Sequence, residues 1–242
     1  MFKEVRWDMI KVLVVEDDPE IAKIIQYNLV QDESYELTWA SNATDALMKS
    51  RDDFDIILMD VMLPEMSGID LCEKIRQYHH CPIIFISCLD DNDTIISALE
   101  KGGDDFIVKP FDNKLLDAKI KANLRRVEMD RKEVSNFLEC ESFRLDAQTH
   151  TVVKKNGDRF ALVQMEFYIL SFLMQNPNRC FKAGELYKYI WGKPSMGDNR
   201  TVVVHIHNLR KKIEEDNANP RYIKSIWGKG YLFDPSGSIE SN

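Results

Sequence analysis

The chain has 242 residues, enough for one large domain or two ordinary ones that each bury a core. No apolar run approaches the length of a bilayer span and no basic-then-apolar leader is present, so a cytoplasmic protein with no membrane partner is expected. Charge is uneven: residues 1–124 carry 13 Lys+Arg against 25 Asp+Glu, and residues 125–242 carry 19 against 15. An acidic half joined to a mildly basic half points to two domains with different partners. The five cysteines, Cys72, Cys81, Cys88, Cys140 and Cys180, form no CxxC pair and read as reduced thiols.

Residues 1–8 carry no pattern and are assigned nothing. From residue 9 to 125, apolar strands alternate with amphipathic helices. Strands are predicted at Val12–Val15, Glu36–Ala40, Ile56–Met59, Ile83–Ile86 and Phe106–Val108. Helices are predicted near 20–30, with Ile21, Ile24, Ile25 and Leu29 inward, and near 43–51, 69–78, 93–101 and 112–125. The fourth stops at Gly102-Gly103, a C-terminal glycine signal. Five βα units with short connections give a doubly wound parallel sheet, an α/β fold.

Residues 126–140 turn polar and charged and read as a linker. Residues 141–235 read as an α+β domain. Strands fall near 143–145, 151–153 and 159–162, with Asn156-Gly157 as a hairpin turn. Helices follow near 163–175, 182–190 and 200–215, the last with Asp198 and Asn199 as N-cap candidates. A hairpin, 222–233, turning at Gly228 and Gly230, closes the chain.

Four buried runs deliver polar groups at the same end: Glu16 and Asp17 after the first strand, Asp60 after the third, Ser87 after the fourth, Lys109 after the fifth. A parallel sheet gathers strand carboxyl ends into one cleft, where such folds place ligands. Three carboxylates there repel one another unless a cation sits between them. Oxygen ligands without His or Cys favour Mg²⁺, with Mn²⁺ as a substitute. Asp60 could then attack a phosphoryl group as a nucleophile, with Lys109 and Ser87 supplying a charge and a hydroxyl donor to its oxygens.

The segments VVEDD, DVMLPEMSG, FIS and KPF, in this order over about 115 residues, resemble the receiver domain of bacterial two-component response regulators. The resemblance implies that Asp60 accepts phosphate from a sensor histidine kinase. It also implies that Glu16, Asp17, Asp60 and the main-chain carbonyl of Met62 hold the metal, and that the Lys109-Pro110 bond is cis. Ser87 and Phe106 stand at the family's switch positions, which more often hold Thr and Tyr, so a switch must be read through burial of the Phe106 ring. Met62 and Leu89, both apolar, flank the water path to the phosphate, which predicts slow self-dephosphorylation. The face on which the family's active receivers pair falls on Ile95, Glu100, Asp104, Asp105, Leu115, Lys119 and Lys121.

On the helix from Arg200, Val202, Ile206, Leu209 and Ile213 form a buried stripe. Arg200, Val204, His207, Asn208 and Lys211 are placed opposite, a mixture suited to a DNA major groove. His205 and His207, two apart, cannot share a face as metal ligands. VQMEFYILSFLMQNP, RTVVVHIHNLRKKIE and PRYIKSIWGKGYLF resemble the winged-helix effector domain of OmpR/PhoB-type regulators. That resemblance implies that Arg200–Lys211, including Thr201 and His205, reads double-stranded DNA. It also implies that a wing at Trp227–Lys229 approaches the minor groove, with Trp227 where many relatives have Arg.

The resulting expectation is a transcription factor, not an enzyme, whose phosphorylated receiver dimerises and binds tandem half-sites, with RNA polymerase as a further partner. Two other readings are a DNA-binding regulator with a constitutively dimerising receiver, and a Mg²⁺-dependent phosphohydrolase.

Overall fold

The computed structural model describes residues 9–30, 34–133, 137–192 and 199–238, with side chains omitted for 125–133. The chain divides into two compact units, residues 1–124 and 125–242.

From the start of the described residues the elements run β1 (Ile10–Val15), α1 (Pro19–Val30), β2 (Tyr35–Ala40), α2 (Ala43–Lys49), β3 (Ile56–Met59), α3 (Gly68–Ile75), β4 (Ile83–Ser87), α4 (Asn92–Glu100), β5 (Asp105–Val108) and α5 (Asn113–Glu133), the last beginning in the first unit and ending in the second. All five strands are parallel, in the order β2-β1-β3-β4-β5. The order reverses beside β1 and β3, so the cleft past their carboxyl ends is the topological switch point of the sheet. Every residue of β3 and β4 is buried, which explains apolar runs without alternation. The core joins Val12 and Val14 of β1 to Ile56 and Leu58 of β3, Ile84 and Ile86 of β4, and Leu116 and Ile120 of α5.

Local signals hold the helices where the sequence put them. The side chain of Asn42 accepts from Asp45 N at the start of α2, and that of Asp91 accepts from Thr94 N at the start of α4. After α4, Gly102 takes φ +117, and a Cβ there would lie 2.8 Å from the Arg76 side chain. Arg76 donates to the carbonyls of Gly102 and Cys81 and pairs with Asp104 at 2.6 Å. One guanidinium thus ties the end of α3 to the entrances of β4 and β5.

Two side-chain placements differ from expectation. Ile24, predicted to face inward, is exposed, and Ala22 takes its place beside Ile25 and Leu29. Residues 22, 25 and 29 follow the three-then-four spacing of one face, and Ile24 lies off it. Asp104, Asp105 and Ile95, expected on a pairing face, are buried. Asp104 accepts from Arg76 and from Ile83 N, and Asp105 accepts from Lys119 at 2.7 Å and from Phe106 N.

The polar stretch after residue 125 opens as a continuation of α5 to Glu133, with residues 134–136 outside the described set. A strand that sequence reading missed, β6 (Phe137–Glu139), follows it. It joins β7 (Phe143–Asp146), β8 (Thr151–Lys154) and β9 (Arg159–Ala161) in an antiparallel sheet ordered β6-β7-β8-β9. Next come α6 (Gln164–Gln175), α7 (Ala183–Trp191) and α8 (Arg200–Ile213), then the hairpin of β10 (Ile223–Ile226) and β11 (Gly230–Phe233). The buried carboxylate of Glu166 accepts from Val163 N at the start of α6 and from Lys212 of α8, locking those two helices together. Glu214, just past α8, accepts from the backbone N–H groups of Arg221, Tyr222 and Ile223 and so sets the entry to the hairpin. Of the two N-cap candidates, Asp198 lies outside the described residues. Asn199 occupies the cap position, but its side chain makes no capping bond.

Candidate functional site

The first site grows from the strand ends. β1 stops where Glu16 N donates to Ala40 O, and β3 stops where Asp60 N donates to Val15 O, so both carboxylates leave adjacent strands at one level. Ligating oxygens of Glu16, Asp17 and Asp60 lie within 4.8 Å of one another, and they form the one such acidic, His or Cys group among the described residues. Glu16 and Asp60 are buried, and Asp17 is exposed.

Lys109, one residue past β5, reaches across the sheet. Its ammonium lies 2.7 Å from Glu16 Oε2 and 2.5 Å from Asp60 Oδ2. Its backbone N–H donates to Ser87 O, and the following bond to Pro110 is cis, as the resemblance implied. Ser87 closes β4, fully buried, and its Oγ accepts from Leu89 N at 3.4 Å. All five residues therefore sit at the carboxyl edge of one sheet, and Lys109 bridges two of the carboxylates directly.

Burial raises the Glu16 carboxyl above its ordinary value, with Asp60 adding to the rise, against the lowering effect of Lys109. Burial works to lower the Lys109 ammonium, but bonds to Asp60 and Glu16 outweigh it and its pKa is raised. Lys109 is thus firmly cationic, and an all-oxygen cluster with a proton-prone Glu16 suits a hard divalent cation.

Asp60 is held in place from below. Its Oδ1 accepts from Met62 N at 2.9 Å, and Gly68 packs so tightly that a Cβ there would stand 1.9 Å from the Asp60 carbonyl oxygen. Gly68 N donates to Val61 O, closing the loop between β3 and α3. Neither role was read from the sequence, although the glycine at the start of α3 was its signal. Met62 is exposed and Leu89 half-buried, and both stand two residues beyond a site residue. The Phe106 ring is buried and stacks on Phe85 at 6.2 Å between centroids.

The second surface lies on α8 and the closing hairpin. Val202, Ile206, Leu209 and Ile213 are buried, as the stripe predicted. The opposite face is shifted from expectation: Thr201, Val204, His205 and Asn208 are buried, while Val203, His207 and Lys211 are exposed and Arg200 half-buried. α8 is sandwiched over a wider arc than one stripe, because α6, α7 and β8 all contact it. Val204 and Asn208 fall inside that arc, and Val203, which sequence reading passed over, lies outside it. His205 packs its ring near Trp191. At the hairpin tip Trp227 is 99 % exposed and Lys229 is exposed.

A parallel five-stranded sheet carrying acidic, hydroxyl and ammonium groups at its switch point, followed by a small sheet, three helices and a hairpin, defines a phosphoacceptor-type receiver joined to a winged helix. The model described as "Response regulator receiver domain" matches residues 12–121, and that described as "Transcriptional regulatory protein, C terminal" matches residues 157–233. Sensory transduction protein RegX3 of Mycobacterium tuberculosis is 38 % identical over 228 residues, covering 93 % of this chain and all of that one. DNA-binding response regulator MtrA of Mycolicibacterium paratuberculosis is 33 % identical over 226 residues, covering 93 % and 98 %. The solved structure of a RitR mutant is 25 % identical, covers 94 % of this chain and all of its own, and has a TM-score of 0.75. The chain belongs to the two-component response regulators of the OmpR/PhoB type. It is a DNA-binding transcription regulator with a sensor kinase as upstream partner. No described helix is long and apolar enough to cross a membrane.

Proposed function

We propose that Asp60 is the phosphoacceptor of a cytoplasmic transcription factor and that its phosphorylation drives dimerisation and binding to tandem half-sites. The observation that carries the reading is the Lys109 ammonium bridging Glu16 and Asp60 inside a carboxylate cluster 4.8 Å across. Asp60 Oδ attacks the phosphorus of a phosphohistidine on the kinase, the P–N bond breaks, and an acyl phosphate forms on Asp60. Glu16, Asp17, Asp60 and the Met62 carbonyl would hold Mg²⁺, which when bound neutralises charge on the transferring phosphoryl group. Lys109 pairs with one phosphoryl oxygen, and Ser87 donates its hydroxyl to another. Phe106 reports the change through its ring, having no hydroxyl to offer. Receiver pairing uses the surface of α4, β5 and α5, with Glu100, Leu115, Lys119 and Lys121 at the rim and Ile95, Asp104 and Asp105 supporting it from beneath. In the effector domain Arg200, His207 and Lys211 meet the major groove, with Val203 among them. RNA polymerase is a further partner of the bound dimer.

Incubation with acetyl phosphate and Mg²⁺ tests the reading. One phosphoryl mass is gained, the gain is absent in Asp60→Ala, and the phosphorylated form elutes as a dimer. A full mass gain in Asp60→Ala removes Asp60 as the acceptor. DNA binding indifferent to phosphodonor leaves a constitutive regulator in its place.

A further inference from the structure

We propose that Trp227 is an apolar wedge which the effector domain inserts between base pairs of duplex DNA, a proposal that rests on the DNA-binding reading of that domain. The residue is the most exposed large hydrophobic side chain among the described residues, at 99 %, where the next, Tyr27, is 70 %. An isolated exposed indole on a loop invites no explanation, but this one sits on a rigid arm. Lys229 N donates to Ile226 O at 3.0 Å across a turn whose second central residue, Gly228, has φ +72 and open space around it. Positive φ at that position alone is the signature of a type II turn, and it leaves Trp227 at the corner.

The base of the arm is fixed twice. Phe181 and Tyr231 exchange two backbone hydrogen bonds, each 2.8 Å, and a Cβ on Gly230 would lie 2.1 Å from Phe181 O, so backbone meets backbone there. Arg210 of α8 then donates to Ile223 O at 2.9 and 2.6 Å and to Ser225 Oγ at 2.9 Å, with its guanidinium over the Tyr231 ring at 5.8 Å. The hairpin is therefore held by the same helix that presents Arg200, His207 and Lys211. The base of the hairpin that carries Trp227 thus keeps a set position relative to α8.

Charge selects the occupant. Neither Arg200–Ile213 nor Arg221–Phe233 contains an Asp or Glu, while together they hold Arg200, Arg210, Lys211, Lys212, Arg221, Lys224 and Lys229. Of these, Lys212 is engaged by Glu166, Arg221 by Glu215 and Lys224 by Asp234, while Lys211 and Lys229, the latter lying two residues after Trp227, are exposed. An exposed lysine two residues from a flat apolar ring, on a hairpin held by the helix that carries Arg200 and Lys211, fits a ligand with an anionic edge and a stack of flat apolar faces inside it, which is duplex DNA entered through a groove. An arginine at this position would gain by displacing counterions from phosphate. An indole has no charge to pair with phosphate, and gains by unstacking a base step and stacking on the exposed faces. Two consequences differ from an arginine wing: the duplex kinks, and this contact's share of affinity does not depend on salt.

The test uses the full-length protein treated with acetyl phosphate and a duplex that the wild type recovers from a random-sequence pool, end-labelled for distance measurement. Trp227→Ala is expected to bind about tenfold more weakly, with an unchanged slope of log affinity against log salt and a straighter duplex. Trp227→Arg is expected to steepen that slope by roughly 0.9 without restoring the bend. Lys211→Ala serves as the reference for a phosphate or base contact on α8. If Trp227→Ala binds and bends DNA as the wild type does while Lys211→Ala is weakened, the wedge is overturned and the DNA-binding reading stands. If Trp227→Arg restores both affinity and bend, a cation suffices and the wedge is again overturned. Unchanged DNA binding by Trp227→Ala with lost polymerase recruitment assigns the ring to a protein partner. A wild-type protein that recovers no duplex removes the DNA-binding reading and the wedge together.

Discussion

The cleft of the receiver and the exposed face of α8 are both candidate functional surfaces, but they are specified in different ways. In the cleft, each side chain stands at the end of a buried strand, and ladder bonds such as Asp60 N to Val15 O set the level at which it emerges. On α8, side-chain direction advances by about 100° per residue, so a neighbour packed slightly to one side exchanges an exposed position for a buried one. Val203 and Val204 are chemically identical neighbours with opposite fates. A site made of strand ends inherits its geometry from topology, whereas a helix face inherits it from whatever packs behind it.

The sharpest way to break this comparison is at Asp60. Asp60→Ala should lose all acetyl phosphate-driven mass gain while retaining basal DNA binding, since the second domain has its own core. Next in size are two glycines, one in each unit. Gly68→Ala places a Cβ against the Asp60 carbonyl, and Gly230→Ala places one against Phe181 with φ already at +111. Each should cost on the order of 3 kcal/mol in urea unfolding, Gly68→Ala lowering the receiver transition and Gly230→Ala the effector transition. Equal effects of either change on both transitions would contradict the division into two units.

The adjacent valines sharpen the contrast further. Val204→Ala should destabilise the effector domain by about 2 kcal/mol, and Val203→Ala by less than about 0.5 kcal/mol while altering DNA affinity. The reverse ranking in thermal unfolding would restore the face first read from the sequence.

Smaller effects concern the cleft. Small polar residues at Met62 and Leu89 should shorten the lifetime of the phosphorylated form, followed by mass spectrometry over time. Magnesium binding should also depend on pH in a defined direction. Burial raises the Glu16 carboxyl above 4.5, so the folded state holds that proton more tightly than the unfolded chain does. Glu16 therefore opposes folding at neutral pH, and the opposition fades as pH falls through its folded value. A cation competes with that proton, so added Mg²⁺ should stabilise the receiver more at about pH 7 than at about pH 5. Equal shifts in melting temperature at the two values would argue against Glu16 as a ligand.

Unit by unit, the two folds were legible to different depths. The five receiver strands could be read because full burial on both faces leaves an uninterrupted apolar run, as in Ile56–Met59. β6 could not, because Phe137 and Glu139 are exposed and a three-residue edge strand leaves almost no pattern. Asp104 looked like a surface charge, since nothing local announces that Arg76, 28 residues earlier, waits beside it.

By itself the sequence determined which polar residues gather at one edge of the receiver sheet, since carboxylates, a hydroxyl and an ammonium at the ends of parallel strands must meet there. The helix spacing likewise determined that α8 buries Val202, Ile206, Leu209 and Ile213. Only the tertiary structure decided that Lys109 bridges Glu16 and Asp60, that Gly68 is wedged beneath Asp60, and that Val203 rather than Val204 faces outward. Periodicity is a property of one segment, but direction and distance depend on the partners that long-range packing brings against it.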